Sequence, residues 1–345
     1  MRTERPLARE FQLTDLFKAV SLIFGGLAIF AAILHLGAAL RVLPRPRPAL
    51  DMDRTILIHQ AEASRTPQDA DVILIGDSSC MMDVSARELS RALSRQVLNL
   101  GTLSYLDLPA FAAMVREYAA VNPGRLRTVV LLCHPEFLRR QEPIAAHVRT
   151  LTNYFAGADT YDLATWPGRL HCWLGIEVFR ERILTRIVPV PLPREFSRFY
   201  GFSNQELWRY LSDRVGSAVD PRLFRLQSGQ GNAEYRLAAN LEMESAAFRS
   251  AIPTGVQLLV GITPAPKSFV LPNYDQKYQR MLADWSRWLK ADGALAALPA
   301  TLPDESFATT THLNEAGARA YTELVTRQLE PIRKRPPTAE PQIQP

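Results

Sequence analysis

Four short apolar runs set the terms for this chain. Val72–Ile75, Gln96–Leu100, Thr128–Cys133 and Val256–Ile262 are each of strand length and each end on a turn signal. Helix-period stretches lie between them. Ala86–Leu93 follows the first run, and Leu108–Ala120 follows the second with Phe111, Met114, Val115 and Tyr118 at apolar positions. Strand and helix in alternation predict an α/β fold: a parallel sheet covered by helices on both faces. In such sheets, sites form at the carboxyl ends of the strands. Four strand ends therefore belong together: Gly76-Asp77-Ser78, Gly101-Thr102, His134-Pro135-Glu136 and Thr263-Pro264.

Ahead of this alternating region, residues 19–40 carry no Asp, Glu, Lys or Arg. A helix of that length rises about 33 Å, enough to cross a hydrocarbon core of about 30 Å. The stretch is too long for a signal-peptide core, and its apolar residues go all the way round. It predicts an uncleaved N-terminal transmembrane helix over 19–41, with a cytoplasmic arm over 1–18. Positive charge is nearly balanced across the span, with Arg2, Arg5, Arg9 and Lys18 before it and Arg41, Arg45, Arg47 and Arg54 after it. Charge alone therefore does not orient it. A short arm before a long globular body places the body outside the cytoplasmic membrane, in a bacterial periplasm. The expected order continues with a linker over 42–55 that includes the stiff run LPRPRPALD, 43–51. A domain over 56–330 and a solvated tail over 331–345 complete it.

The stretch from about 145 to 235 breaks the rhythm. It holds Trp166, Trp173, Trp208 and the run VPVPLPREF, 188–196. Two readings stay open: an insertion packed over the carboxyl edge of the sheet, or a loosely helical connection away from it. The formal charge of +5 is too small and scattered to argue for nucleic acid. Cys80, Cys133 and Cys172 show no metal-ligand spacing, so no metal is expected and free buried thiols are. No organic cofactor is implied.

A serine hydroxyl becomes a nucleophile when a base takes its proton. Ser78 follows the first strand. Of the six histidines, His35 lies in the apolar span, His59, His147 and His171 sit in unremarkable contexts, and His134 ends a strand. His312 stands in the loop before an amphipathic stretch with Ala320, Leu324 and Val325 on one side. That loop can aim a side chain inward.

Gly76-Asp77-Ser78, Asn99-Leu100-Gly101 and His312-Leu313-Asn314 with Gly317 resemble the three sequence segments of the SGNH (GDSL-type) hydrolases. The anchored layout is similar to the SGNH-like proteins of alginate O-acetylation and of teichoic-acid D-alanylation, which work beside membrane-bound O-acyltransferases. The resemblance covers roughly 68–135 and 250–330. It implies a three-layer, flavodoxin-like sheet. It implies Ser78 as nucleophile, His312 as general base, and the N–H groups of Ser78 and Gly101 as oxyanion donors. Asp77 is read as bonding the backbone of its own turn. Asn99 is expected beside the site.

Two departures stand out. The family's acid, three residues before the histidine, is Thr309 here. The family's third-strand asparagine is replaced by Cys133-His134-Pro135-Glu136, leaving His134 either as a donor in its place or as a local hydrogen-bonding residue. The resemblance implies an acyl group carried on Ser78 and passed to a cell-surface polysaccharide, supplied by a membrane-bound O-acyltransferase partner. A catalytically degenerate glycan-binding or scaffold subunit, and a cytoplasm-facing esterase, are the rival readings.

Overall fold

The computed structural model describes residues 13–40, 52–103, 106–140, 142–157, 204–218 and 234–333. Several expectations fall outside those residues: the proline-rich run 43–51, Trp166, Trp173, the run 188–196 and Cys172. The chain divides into two units, one of Met1–Leu50 with Tyr161–Leu192, the other of Asp51–Thr160 with Pro193–Pro345.

Within the first unit, α1 runs over Leu13–Ala39. Its 27 residues rise about 40 Å. Leu13, Phe17, Ile23, Phe24, Ile29 and Ile33 are all exposed. Such an outward-facing apolar surface suits lipid better than water. The helix is long and apolar enough to cross a membrane, a test of length and composition that a signal sequence also meets. It begins six residues before the expected start of the span at residue 19.

The second unit is built on a five-stranded sheet. Its strands are β1 (Val72–Gly76), β2 (Val97–Asn99), β3 (Thr128–Cys133), β4 (Gln257–Ile262) and, after a two-residue β5 (Ala265–Pro266), β6 (Gly293–Ala294). They lie in the order β2-β1-β3-β4-β6, every pair parallel. A second, two-stranded sheet pairs β5 with β7 (Thr301–Leu302).

Consecutive strand residues point to opposite faces, and both faces are buried here. Ile73, Ile75, Val129, Leu131, Leu258 and Val260 enter one core. Val72, Leu74, Val130, Leu132 and Leu259 enter the other. This is why the strands read as unbroken apolar runs. The first core is closed by residues of α2 (Met52–Ser64), α5 (Leu108–Val121), α9 (Leu241–Ser250) and α10 (Tyr274–Trp288). The second is closed by α4 (Ala86–Leu93) and α11 (Glu315–Arg333). Between these lie α3 (Ser78–Asp83), α6 (Pro135–Leu138), α7 (Ala145–Phe155) and α8 (Asn204–Asp213).

Four features differ from the sequence reading. The helix α2 starts at Met52, so the body begins inside the expected linker 42–55. The strand β6 was not foreseen. The last helix continues through Pro331 to Arg333, past the expected end of the domain at 330. Its buried face is Ala318, Tyr321, Val325 and Leu329, with Ala320 exposed, a quarter-turn from the face first assigned.

Part of the 145–235 stretch packs on the sheet's outer edge. The N–H of Asn99 donates to the Val215 carbonyl at 3.0 Å, and the Ala218 N–H donates to Met81 O at 2.8 Å. Residues 215–218 thus follow the end of β2 and the start of α3.

Candidate active site

Register decides which side chains meet. Gly76 pairs with Leu132, so two residues further on Ser78 and His134 leave adjacent strands at the same level. Leu74 pairs with Asn99, which brings Gly101 beside Gly76. The N–H of Thr102 then donates to Gly76 O at 2.9 Å.

Ser78 is the first residue of α3. Its N–H therefore has no acceptor inside the helix. Its Oγ lies 2.9 Å from His312 Nε2. The two residues are 234 apart in sequence. His312 reaches the serine because its loop is pinned on several sides. Ala308 N–H donates to His312 O at 2.8 Å, and Phe307 and Leu313 form an antiparallel bridge. Asn314 caps α11 by accepting from Gly317 N–H at 2.9 Å and donates to Glu305 O at 2.6 Å. A Cβ on Gly317 would meet Ser306 O at 2.1 Å, so only glycine lets the helix approach that loop.

On the far side of the imidazole, Thr309 Oγ1 lies 3.1 Å from Nδ1. The same oxygen accepts from the N–H groups of Thr311 (3.3 Å) and His312 (3.1 Å). A hydroxyl can give or take a proton, so it fits either imidazole tautomer; a carboxylate would accept only.

Asp77 ties three strand ends together. Its carboxylate accepts from Ser79 N–H (3.1 Å), Ser79 Oγ (2.6 Å) and His134 N–H (3.0 Å). Thr263 Oγ1, at the end of β4, donates to Ser79 Oγ at 2.8 Å. Burial pushes the Asp77 carboxyl up from its ordinary value, and these hydrogen bonds pull against that shift. Asp77 thus holds the turn that presents Ser78.

Asn99 and Gly101 are placed differently from the expectation. Asn99 is fully buried, and its amide donates to Cys80 O (2.9 Å), Val84 O (3.3 Å) and Ser217 Oγ (3.1 Å). Its Oδ1 accepts the Gly101 N–H at 2.8 Å. The expected second oxyanion donor is therefore directed at Asn99 and not into the site. A Cβ on Gly101 would meet Met81 N at 2.6 Å, because α3 lies directly against this turn.

His134 caps α6, with Nδ1 accepting from Glu136 N–H at 3.1 Å. It is 2% exposed, and its Nε2 has no hydrogen-bond partner among the described residues. Burial, with the charges of His312 and Arg139 adding to it, lowers its pKa to about 3.

Sequence reasoning missed two residues. Asp83, at the end of α3, is buried and accepts from Leu313 N–H at 2.8 Å, joining the serine helix to the histidine loop. A lone acid within the apolar stretch CMMDV was the available signal. Burial pushes its carboxyl well above the usual range. Gln60 on α2 donates to Gly101 O and Gly216 O, and no pattern in the sequence points to it. Cys80 and Cys133 are buried free thiols, their pKa raised by burial. No cluster of His, Cys, Asp and Glu among the described residues could hold a metal ion.

No protein-family model matches the chain. Among curated proteins it is similar to protein translocase subunit SecA 1 of Corynebacterium diphtheriae, 26% identical over 174 residues. That match takes in 50% of this chain but only 20% of the relative's length.

Proposed function

We propose that this protein is a membrane-anchored, SGNH-like O-acyltransferase or esterase. It carries an acyl group, acetyl in the simplest case, on Ser78. The observation that carries this reading is the 2.9 Å contact between Ser78 Oγ and His312 Nε2, at the carboxyl end of a parallel sheet. The strand order β2-β1-β3-β4-β6 supports the flavodoxin-like arrangement that the SGNH resemblance implies.

His312 Nε2 takes the hydroxyl proton as Oγ bonds to the acyl carbon. The carbonyl electron pair moves onto oxygen, where the Ser78 N–H receives it. Collapse restores the carbonyl and breaks the bond to the leaving oxygen, which takes the proton from His312. The acyl-serine then yields to water or to a sugar hydroxyl by the same steps in reverse.

Under this reading α1 anchors the body to the inner membrane, with the body in a bacterial periplasm. A membrane-bound O-acyltransferase supplies the acyl group, and a cell-surface polysaccharide receives it. A second reading, a degenerate glycan-binding or scaffold subunit, draws support from Thr309 in the acid's place and from the engaged Gly101 N–H.

Full-length protein in detergent, given an activated acetyl ester, tests the choice. The enzyme reading expects an acetyl adduct or turnover that is lost, by at least about 10³-fold, in both Ser78→Ala and His312→Ala. No adduct from folded protein favours the scaffold. A reporter fused after Pro345 tests the side of the membrane, and a cytoplasmic signal would overturn the polysaccharide assignment.

A further inference from the structure

We infer that His134 is a second oxyanion donor, giving a hydrogen bond from its Nε2–H to the acyl oxygen during attack by Ser78. This rests on the acyl-serine reading above.

Place comes first. The register Gly76–Leu132 sets His134 level with Ser78 on the adjacent strand. Protonation follows from partners. The Glu136 N–H can only donate, and it points at Nδ1, so Nδ1 offers its lone pair. A neutral imidazole then carries its one proton on Nε2. Fixity follows from the surroundings. The backbone N–H of His134 is held by Asp77 Oδ2 at 3.0 Å, and Tyr235 meets the ring edge-on, with centroids 6.0 Å apart and planes at 89°.

The Nε2–H is thus a fixed, buried donor with no hydrogen-bond partner among the described residues. A native fold seldom leaves such a donor unsatisfied without a use for it. The site has a matching need, because Gly101 N–H is already directed at Asn99. A donor aimed where negative charge develops acts only in the transition state, which is where binding raises rate. Burial beside His312 and Arg139 keeps the ring neutral down to about pH 3. The donor therefore does not titrate over the range in which a histidine base does. His134 keeps its proton throughout; it lends a hydrogen bond and transfers nothing.

The test uses the full-length protein in detergent, the activated acetyl ester, and two variants. His134→Ser keeps an acceptor for Glu136 N–H and withdraws the distal donor. His134→Gln places an amide at about the reach of Nε2. In His134→Ser turnover should slow by about 10²- to 10³-fold, with a smaller loss in His134→Gln. An NMR measurement on wild type needs no variant to fold. In protein labelled with ¹⁵N-histidine, the Nε2–H proton signal of His134 should move downfield when a phosphonate is bonded to Ser78.

Ser78-dependent turnover undiminished in His134→Ser, or an unmoved Nε2–H signal in the adduct, overturns the role of His134 alone. Turnover that survives in His134→Ser but is lost in Thr102→Val does the same, since the Thr102 hydroxyl is, among the described residues, the other buried, unpartnered donor at these strand ends. Absence of any Ser78-dependent chemistry in wild type overturns the acyl-serine reading and this inference with it.

Discussion

Thr309 Oγ1 sits 3.1 Å from His312 Nδ1, on the side of the ring opposite Ser78. A hydroxyl there orients the imidazole but brings no negative charge to balance the imidazolium that forms when Ser78 gives up its proton.

Thr309→Asp should therefore speed turnover, by roughly tenfold or more, since an opposite charge within about 4–6 Å favours protonated histidine. The N–H groups of Thr311 and His312, which now reach the threonine oxygen, would meet the new carboxylate. The pH–rate profile measures it: the acid limb should move to higher pH. Thr309→Val should slow the reaction. An unmoved limb in a folded Thr309→Asp protein would show that threonine does not set the imidazole's state.

Asp77→Ala removes the acceptor of three hydrogen bonds, from Ser79 N–H, Ser79 Oγ and His134 N–H. Leaving such buried donors unmet costs about 1–3 kcal/mol each at most, and relaxation recovers part of that. The expectation is a loss of about 2–4 kcal/mol, or roughly 5–15 °C in Tm, by thermal denaturation. Activity should fall as well, because the turn bearing Ser78 loosens. A Tm within about 1 °C of wild type would refute the role given to Asp77.

Acid stability follows from His134. Its folded pKa, about 3, lies below the ordinary 6.5. The contribution is whole above pH 6.5. It is lost as pH falls toward 3, because the unfolded chain binds the proton first. The slope reaches at most about 1.4 kcal/mol per pH unit. Asp83 acts with the opposite sign. Its raised pKa means the folded chain holds the proton more tightly, so stability grows as pH falls through that folded pKa. Tm measured from about pH 7 to pH 4 should therefore decline more steeply in wild type than in His134→Gln. Parallel curves would sink the assignment.

The strands were legible because both sheet faces are buried, which leaves apolar runs with little else to mean. Gly293–Ala294 escaped notice for the converse reason: two small residues on the sheet's edge carry no pattern. The start of the body was placed at residue 56, inside α2, because the prolines before it drew the linker too far. Ser78 and His312 could be singled out at a strand end and before a helix. Two of their supports could not. Asp83 reaches Leu313 across 230 residues and Gln60 reaches Gly101 across 41, in each case through a backbone group that every residue has. The Gly101 N–H was misassigned because sequence shows that a donor exists, not which acceptor has already taken it.

The turn bearing the nucleophile is held by residues drawn from three distant parts of the chain: His134, Thr263 and His312. None of these contacts is local, so the reactive serine can form only once β1, β3 and β4 have closed in register. An incomplete or partly opened chain then holds an ordinary, inert hydroxyl. Capture of Ser78 by a serine-directed phosphonate would therefore count molecules whose sheet is fully assembled, making the chemistry of one side chain a gauge of how much of the protein has finished folding.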